Sequence, residues 1–206
     1  GYAVDIRSGL TTGHYRMAGE NISVSHRSEK LSLYGAFDFK MPRSLWKGNS
    51  GNTIRDNIQS IKLSRQSESA DEPLYYSWRL GAEWQPLPKH RISIDYNGYF
   101  DDWKATNSST VESTGMNGSL LSSIRSSNRL IEPYHYDAFN FNYRFDIDSA
   151  GKKITEETHY VAYRNYSDAV MATDGDDANG DFTGRNVLRS HQPGFISIRA
   201  AKVDAE

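Results

Sequence analysis

The stretch Phe139–Ile154, FNFNYRFDIDSAGKKI, decides how this chain is read. Phe139, Phe141, Tyr143, Phe145 and Ile147 alternate with Asn140, Asn142, Arg144, Asp146 and Asp148. A strand sends successive side chains to opposite faces, so the segment predicts a strand with one apolar face and one polar, charged face. The run DSAGKK that follows has ordinary turn chemistry. Alternation alone leaves open whether the apolar face meets a protein core or lipid.

The same period recurs along the chain, and helical periodicity is nearly absent. Tyr2, Val4, Ile6 and Leu10 oppose Asp5 and Arg7; Ile22, Val24 and His26 oppose Asn21, Ser23 and Ser25. Leu31, Leu33, Phe37, Phe39 and Met41 share a side, as do Leu74, Tyr76, Trp78, Leu80, Ala82 and Trp84, and Ile92, Ile94, Tyr96 and Phe100. Ile196 and Ile198 oppose Ser197 and Arg199, while ITEETHYVAYRNY has no clear apolar side. Short polar turns are expected at Ser28–Lys30, Gln85–His90 and Asp148–Lys153. Long Ser/Asn/Gly/Asp-rich loops are expected at Pro42–Glu72, Asp102–Pro133 and Ser167–Arg185, with further strands such as Ile54–Leu63 and Asn117–Ile124 inside two of them.

About eight strands, alternately joined by short turns and long excursions, predict an all-β, antiparallel up-and-down meander. That asymmetry belongs to outer-membrane barrels, whose turns are short on one side and long on the other. Leu31–Met41 and Leu74–Trp84 each span eleven positions, and a tilted membrane strand needs about 9–11 residues. Trp84, Phe100, Trp103, Tyr134 and Tyr136 gather near strand ends, as an interfacial girdle would.

Composition is compatible with this. The net charge of -2 and pI near 6.3 argue against nucleic acid, which wants a basic face. A mean hydropathy of -0.71 looks hydrophilic, but a barrel strand needs an apolar residue only at every second position. No run of about 18 apolar residues is present, which excludes a membrane-spanning helix and not a spanning strand. Cysteine is absent, so disulfides and thiolate metal sites play no part. The chain opens at Gly1 directly into YAVDIRSGL and stops at Glu206 after ISIRAAKVD, as an excised piece would.

The string LRSHQPGFISIRAAKVD, preceded by FNFNYRFDIDSAGKKITEETHYVAYRN, resembles the C-terminal barrel signature of TonB-dependent outer-membrane receptors, and more narrowly the outer membrane protein beta-barrel family related to them. The shared elements are R-x3-PG-x-I-x-I followed by A-K-x-D, and a strand–turn–strand with a D-x-x-G-K/R turn. SVSHRSEKLSLYGAFDF resembles an early hairpin of that family. The resemblance implies a parent barrel of about 22 strands, of which residues 1–206 would form one partial segment without plug domain or remaining strands. It also implies an outer-membrane location, lipid as surroundings, a TonB-type energising complex acting through the plug, and uptake of a chelated metal, cofactor, peptide or glycan. An excised segment is then expected either to curl on itself or to self-associate through its open strand edges. The rival is a soluble secreted all-β binding module or adhesin with its apolar faces packed sheet on sheet.

Few residues point to chemistry. Asp174, Asp176, Asp177, Asn179 and Asp181 in DGDDANGD offer hard oxygen ligands suited to Ca²⁺, though without EF-hand spacing; a solvated loop is the alternative. Trp46 and Trp103 lie in or beside expected loops, where an indole stacks on a ligand or anchors at a membrane interface. Asp101 and Asp102 are adjacent carboxylates, but neighbours on a strand point to opposite faces, which argues against a catalytic dyad. The six histidines, His14, His26, His90, His135, His159 and His191, lack metal-binding spacing. No G-x-S-x-G, Walker A or H-E-x-x-H motif occurs, so a non-enzymatic protein is expected. Asn140, Asn142, Arg144 and Asp146 form the expected lumen side of their strand.

Overall fold

The computed structural model describes residues 1–12, 16–55, 60–148 and 151–206. Ten strands form one antiparallel sheet: β1 (Tyr2–Thr12), β2 (Arg16–Arg27), β3 (Leu31–Met41), β4 (Ser44–Arg55), β5 (Ser60–Asp71), β6 (Tyr75–Leu87), β7 (His90–Gly115), β8 (Leu120–Asp146), β9 (Lys153–Asp176) and β10 (Phe182–Ala205). His14 and parts of the expected strand at 54–63 and turn at 148–153 lie outside the described residues.

Two pairs of strands run in line. Asp71 pairs with Ala105 on β7 and Tyr75 with Asp101, in step across the gap, where Glu72 N–H donates to Lys104 and Asp102 N–H to Leu74. Likewise Lys40 pairs with Tyr75 and Ser44 with Asp71. The breaks fall at Pro42 and Pro73, which lack the N–H a ladder needs. Counted by ladder, the sheet is an eight-stranded meander: β1, β2, β3 with β4, β5 with β6, then β7, β8, β9 and β10.

The long excursions are therefore mostly strand. Residues 44–55, 60–71, 102–115, 120–133 and 167–176 extend the hairpins, and the true connections shrink to short turns such as 116–119 and 177–181. These segments carry Ser, Thr and Asn on both sides, so they lack the apolar alternation that marks a strand. Antiparallel pairing satisfies their backbone groups all the same. At roughly 3.4 Å per residue, the β7–β8 hairpin is far longer than a membrane-spanning one.

Residues directly opposite in a ladder share a face, so the register fixes two faces across the whole sheet. One level reads Ile6–Ile22–Phe37–Trp78–Gly98–Asp137–Ala162–Ser197. The level beside it on the same face reads Val4–Val24–Gly35–Leu80–Tyr96–Phe139–Tyr160–Arg199. From β1 to the lower half of β8 this face is an apolar band bounded by Leu31, Trp84 and Ile92 below and by Phe39, Tyr76 and Phe100 above. Immediately above come charges: Arg43 lies 3.9 Å from Glu72, Lys104 2.7 Å from Asp102, and Asp168 pairs with His191. Higher still both faces are polar, with Lys47–Glu68 at 3.1 Å on one and the row Ser67–Ser109–Ser126–Thr173 on the other.

Among the described residues nothing covers the apolar band. Ile6 is 68% and Leu80 53% exposed, and the only buried apolar core residues described are Ala105, Ala138 and Ala162. Local contacts shield the backbone instead: the Trp78 indole lies flat over Gly98, and the Tyr34 ring lies over Gly81 with its hydroxyl on Asp95, positions that a side chain on either glycine would deny. The sheet is also open. Among the described residues β1 pairs only with β2 and β10 only with β9, so of the two expected outcomes the segment does not adopt the first, curling on itself.

Two sequence expectations about faces change. Ile196 and Ile198 fall on the polar face, opposite Tyr163 and Val161, because the register of β10 places Phe195 and Ser197 on the other side. Trp103, Tyr134 and Tyr136 also lie on the polar face and are not part of an apolar-face girdle. The unclear strand β9 is mixed on both sides, with Glu156, Tyr160 and Arg164 on one and Glu157, Val161 and Tyr163 on the other.

Candidate functional site

The polar face is built by the alternate residues of the same strands. Asn140, Asn142, Arg144 and Asp146 lie on it together, opposite Asp95, Ser93 and Arg91 on β7 and His159, Glu157, Thr155 and Lys153 on β9. Asn140 Oδ1 lies 2.7 Å from His159 Nδ1, and Arg144 Nε donates to Asp146 at 2.7 Å. These are exposed or half-buried polar contacts, each of small energetic weight.

Higher on this face the polar residues give way to tyrosines. Tyr75 and Tyr99 stack with centroids 6.0 Å apart; Tyr99–Tyr134 and Tyr134–Tyr163 are also 6.0 Å apart, and Tyr136–Tyr163 5.0 Å. Four strands, β6 to β9, contribute. They bring Asp101 and Glu132 to the same place, because Tyr75 pairs with Asp101, Asp101 with Tyr134, and Trp103 with Glu132. A recess of about 460 Å³ opens here, lined by Tyr75, Tyr99, Asp101, Trp103, Glu132 and Tyr134 among others.

The two carboxylates differ. Glu132 Oε1 accepts the Ser167 hydroxyl at 2.6 Å. Asp101 Oδ2 accepts the Tyr99 hydroxyl at 3.2 Å, while its Oδ1 is buried without a partner. Asp101 lies one level above the apolar band, and burial pushes its carboxyl above the usual carboxylate range, offset in part by the Tyr99 hydroxyl. Asp102, its sequence neighbour, faces the other way toward Lys104, as the strand period requires.

No protein-family model matches this chain, and no curated protein matches it. The site therefore rests on its own geometry.

Of the expected ligand residues, Trp103 belongs to the tyrosine recess. Trp46 lies on the same face, higher up, where it folds over Gly48 and borders a second recess of about 500 Å³ with Arg65, Ser67, Asn107 and Asn128. The two indoles do not meet. The acidic segment is divided among other partners. Asp174 lies 3.3 Å from Arg185 and Asp176 3.0 Å from Arg125, while Asp177 accepts the backbone N–H groups of Asn179 and Asp181 at 2.8 and 3.0 Å. Among the described residues no group of three or more His, Asp or Glu side chains is gathered to hold a metal. A calcium ion would compete with Arg125 and Arg185 for the same oxygens.

Asp176 is only 7% exposed, so its arginine matters. Arg125→Ala is expected to weaken the upper end of the β8–β9 ladder by about 1–3 kcal/mol, the cost of leaving a buried acceptor unpaired. Hydrogen exchange at Ser123–Ser126 and Thr173–Asp176 would read it as loss of protection there, with the lower strands unchanged.

Sequence reasoning passed over Tyr75, Tyr99, Tyr163 and Glu132. The available signal was the spacing Tyr99–Asp101–Trp103 and Glu132–Tyr134–Tyr136, two acid-and-aromatic runs of strand period on the side otherwise read as wet.

Proposed function

We propose that this chain is a wall segment of an outer-membrane β-barrel of the TonB-dependent-receptor type, serving uptake of a small nutrient. The observation that carries the reading is the apolar band, which covers one face from β1 to β8 and stops at one level. Above that level both faces turn polar. A core packed against a second sheet has no reason to end at a common height in every hairpin, whereas a bilayer does. Nine residues from Leu31 to Phe39 match the reach of about 9–11 for a tilted spanning strand. The polar face with Asn140, Asn142, Arg144 and Asp146 then lines the lumen, and the hairpin extensions stand in water outside. The bare edges of β1 and β10 join further strands or a second copy, and coupling to an energising complex runs through a plug outside these residues.

The soluble secreted module has one observation in its favour. Asp137 and His135 lie within the band, 3.1 Å apart, with the Tyr96 hydroxyl 2.6 Å from Asp137. Lipid tolerates such a group only when it is internally paired, as this one is.

Reconstitution decides between the two. Refolded into phosphatidylcholine vesicles, the chain should resist carbonate extraction, and protease should trim residues 44–71 and 105–131 while sparing β3, β6 and the lower half of β7. A monodisperse monomer in buffer that ignores vesicles would sink the membrane reading.

A further inference from the structure

We infer that the tyrosine recess of the polar face binds an organic cation, an ammonium or guanidinium group carried on an apolar stem. The inference goes beyond the membrane reading and does not need it, because β6 to β9 supply the whole recess. Three features converge.

The first is charge. Asp101 and Glu132 enter the recess, and none of its lining residues is Lys, Arg or His. The levels above and below on this face add Asp71, which pairs with the Ala105 position, and Asp38, opposite Ser77. On this face Lys40 pairs with Tyr75 on the strand beyond and borders an adjoining recess with Asp38 and Ser77, whose wall also includes Tyr75 and Tyr99. Within the recess two carboxylates meet no basic side chain, so an anion is repelled and a cation drawn in.

The second is the unpaired acceptor. A buried carboxylate oxygen without a donor is costly. Asp101 Oδ1 is such an atom, beside a cavity large enough for a small ligand. A charged N–H donor satisfies it more strongly than a hydroxyl does.

The third is the wall. Tyr75, Tyr99 and Tyr134 stand around the acids with ring centroids about 6.0 Å apart, and Trp103 completes the rim. Aromatic faces attract cations and hold apolar stems. A neutral sugar would use the rings equally but would gain nothing from the surplus of negative charge.

Agmatine is the probe, with phenylacetate as an anionic control and methyl glucoside as a neutral one. Each is titrated by calorimetry into the full chain held in detergent micelles. Agmatine should bind saturably, phenylacetate should not, and methyl glucoside should bind at least tenfold more weakly. The double variant Asp101→Asn with Glu132→Gln should weaken agmatine at least tenfold, and Lys40→Gln should tighten it. Fluorotyrosine resonances of Tyr99 and Tyr134 in the otherwise unaltered protein should shift with agmatine and stay still with phenylacetate, a readout that does not depend on a variant folding. Equal binding of agmatine and methyl glucoside, or a double variant that binds agmatine as well as the parent, would overturn the inference. So would tyrosine resonances that ignore agmatine.

Discussion

Leu80→Arg in the vesicle-embedded chain is expected to cost about 2–4 kcal/mol of stability, the penalty of a basic side chain at the bilayer midplane on a barrel's lipid face. Leu80 sits in the middle level of the apolar band, between Gly35 and Tyr96, and is 53% exposed with no protein over it. The same arginine at Leu31, at the lower border of the band, should cost about 0–1 kcal/mol, because the penalty falls toward the interface. Ser93→Arg places the charge on the opposite face beside Glu83 and Asn142 and should stay within about 0.5 kcal/mol of the parent. Urea unfolding of the vesicle-bound chain, followed by tryptophan fluorescence, measures all three. The depth gradient is the discriminating result. A sheet-on-sheet core would punish Leu31→Arg and Leu80→Arg alike, so equal losses would count against a bilayer around this face.

The lower half of the sheet was legible in sequence because its two faces contrast sharply. Phe139, Phe141 and Tyr143 share a side with Ile92 and Ile94, as their alternation predicts, and the turns at Ser28–Lys30 and Pro88–Lys89 fall where Ser and Pro place them. The upper half was not legible. In residues 102–115 and 120–133 Ser, Thr and Asn occupy both faces, so the period-two signal disappears while the hydrogen-bonding capacity of the backbone stays. Low hydrophobicity then reads as loop, although pairing on both sides holds the segment extended. The tyrosine site was hidden for another reason. Tyr75, Tyr99, Tyr134 and Tyr163 come from four strands, and only the cross-strand register shows that they share a face. Read one strand at a time, Tyr134 and Tyr136 pass for interfacial anchors. The mixed pattern of β9 was visible in ITEETHYVAYRNY and is a property of the fold: on both faces the strand carries charge beside apolar residues.

Ser109→Pro should melt the upper half of the sheet and leave the lower half intact. Ser109 lies mid-way along the upper part of β7, opposite Ser67 on β5 and Ser126 on β8. A strand with neighbours on both sides uses every N–H, so proline removes one ladder bond and strands its acceptor, at a cost of about 1–3 kcal/mol. The proline ring also holds φ at roughly −65°, far from the value of about −140° typical of an antiparallel ladder. Protection against hydrogen exchange at Lys104–Ser113 and Leu121–Ile131 should fall by about tenfold or more, while Ile92–Tyr99 and Phe139–Phe145 keep theirs. Ser109→Thr, which retains the donor and suits a strand, should change nothing. The separation of the two halves is physical. The Pro42 and Pro73 interruptions sit at one level, above which few apolar contacts remain to couple the extensions to the band below. Proline at Ser109 without any loss of protection would mean that these polar hairpins are loops in solution and that the tyrosine recess lacks the strands needed to frame its upper rim.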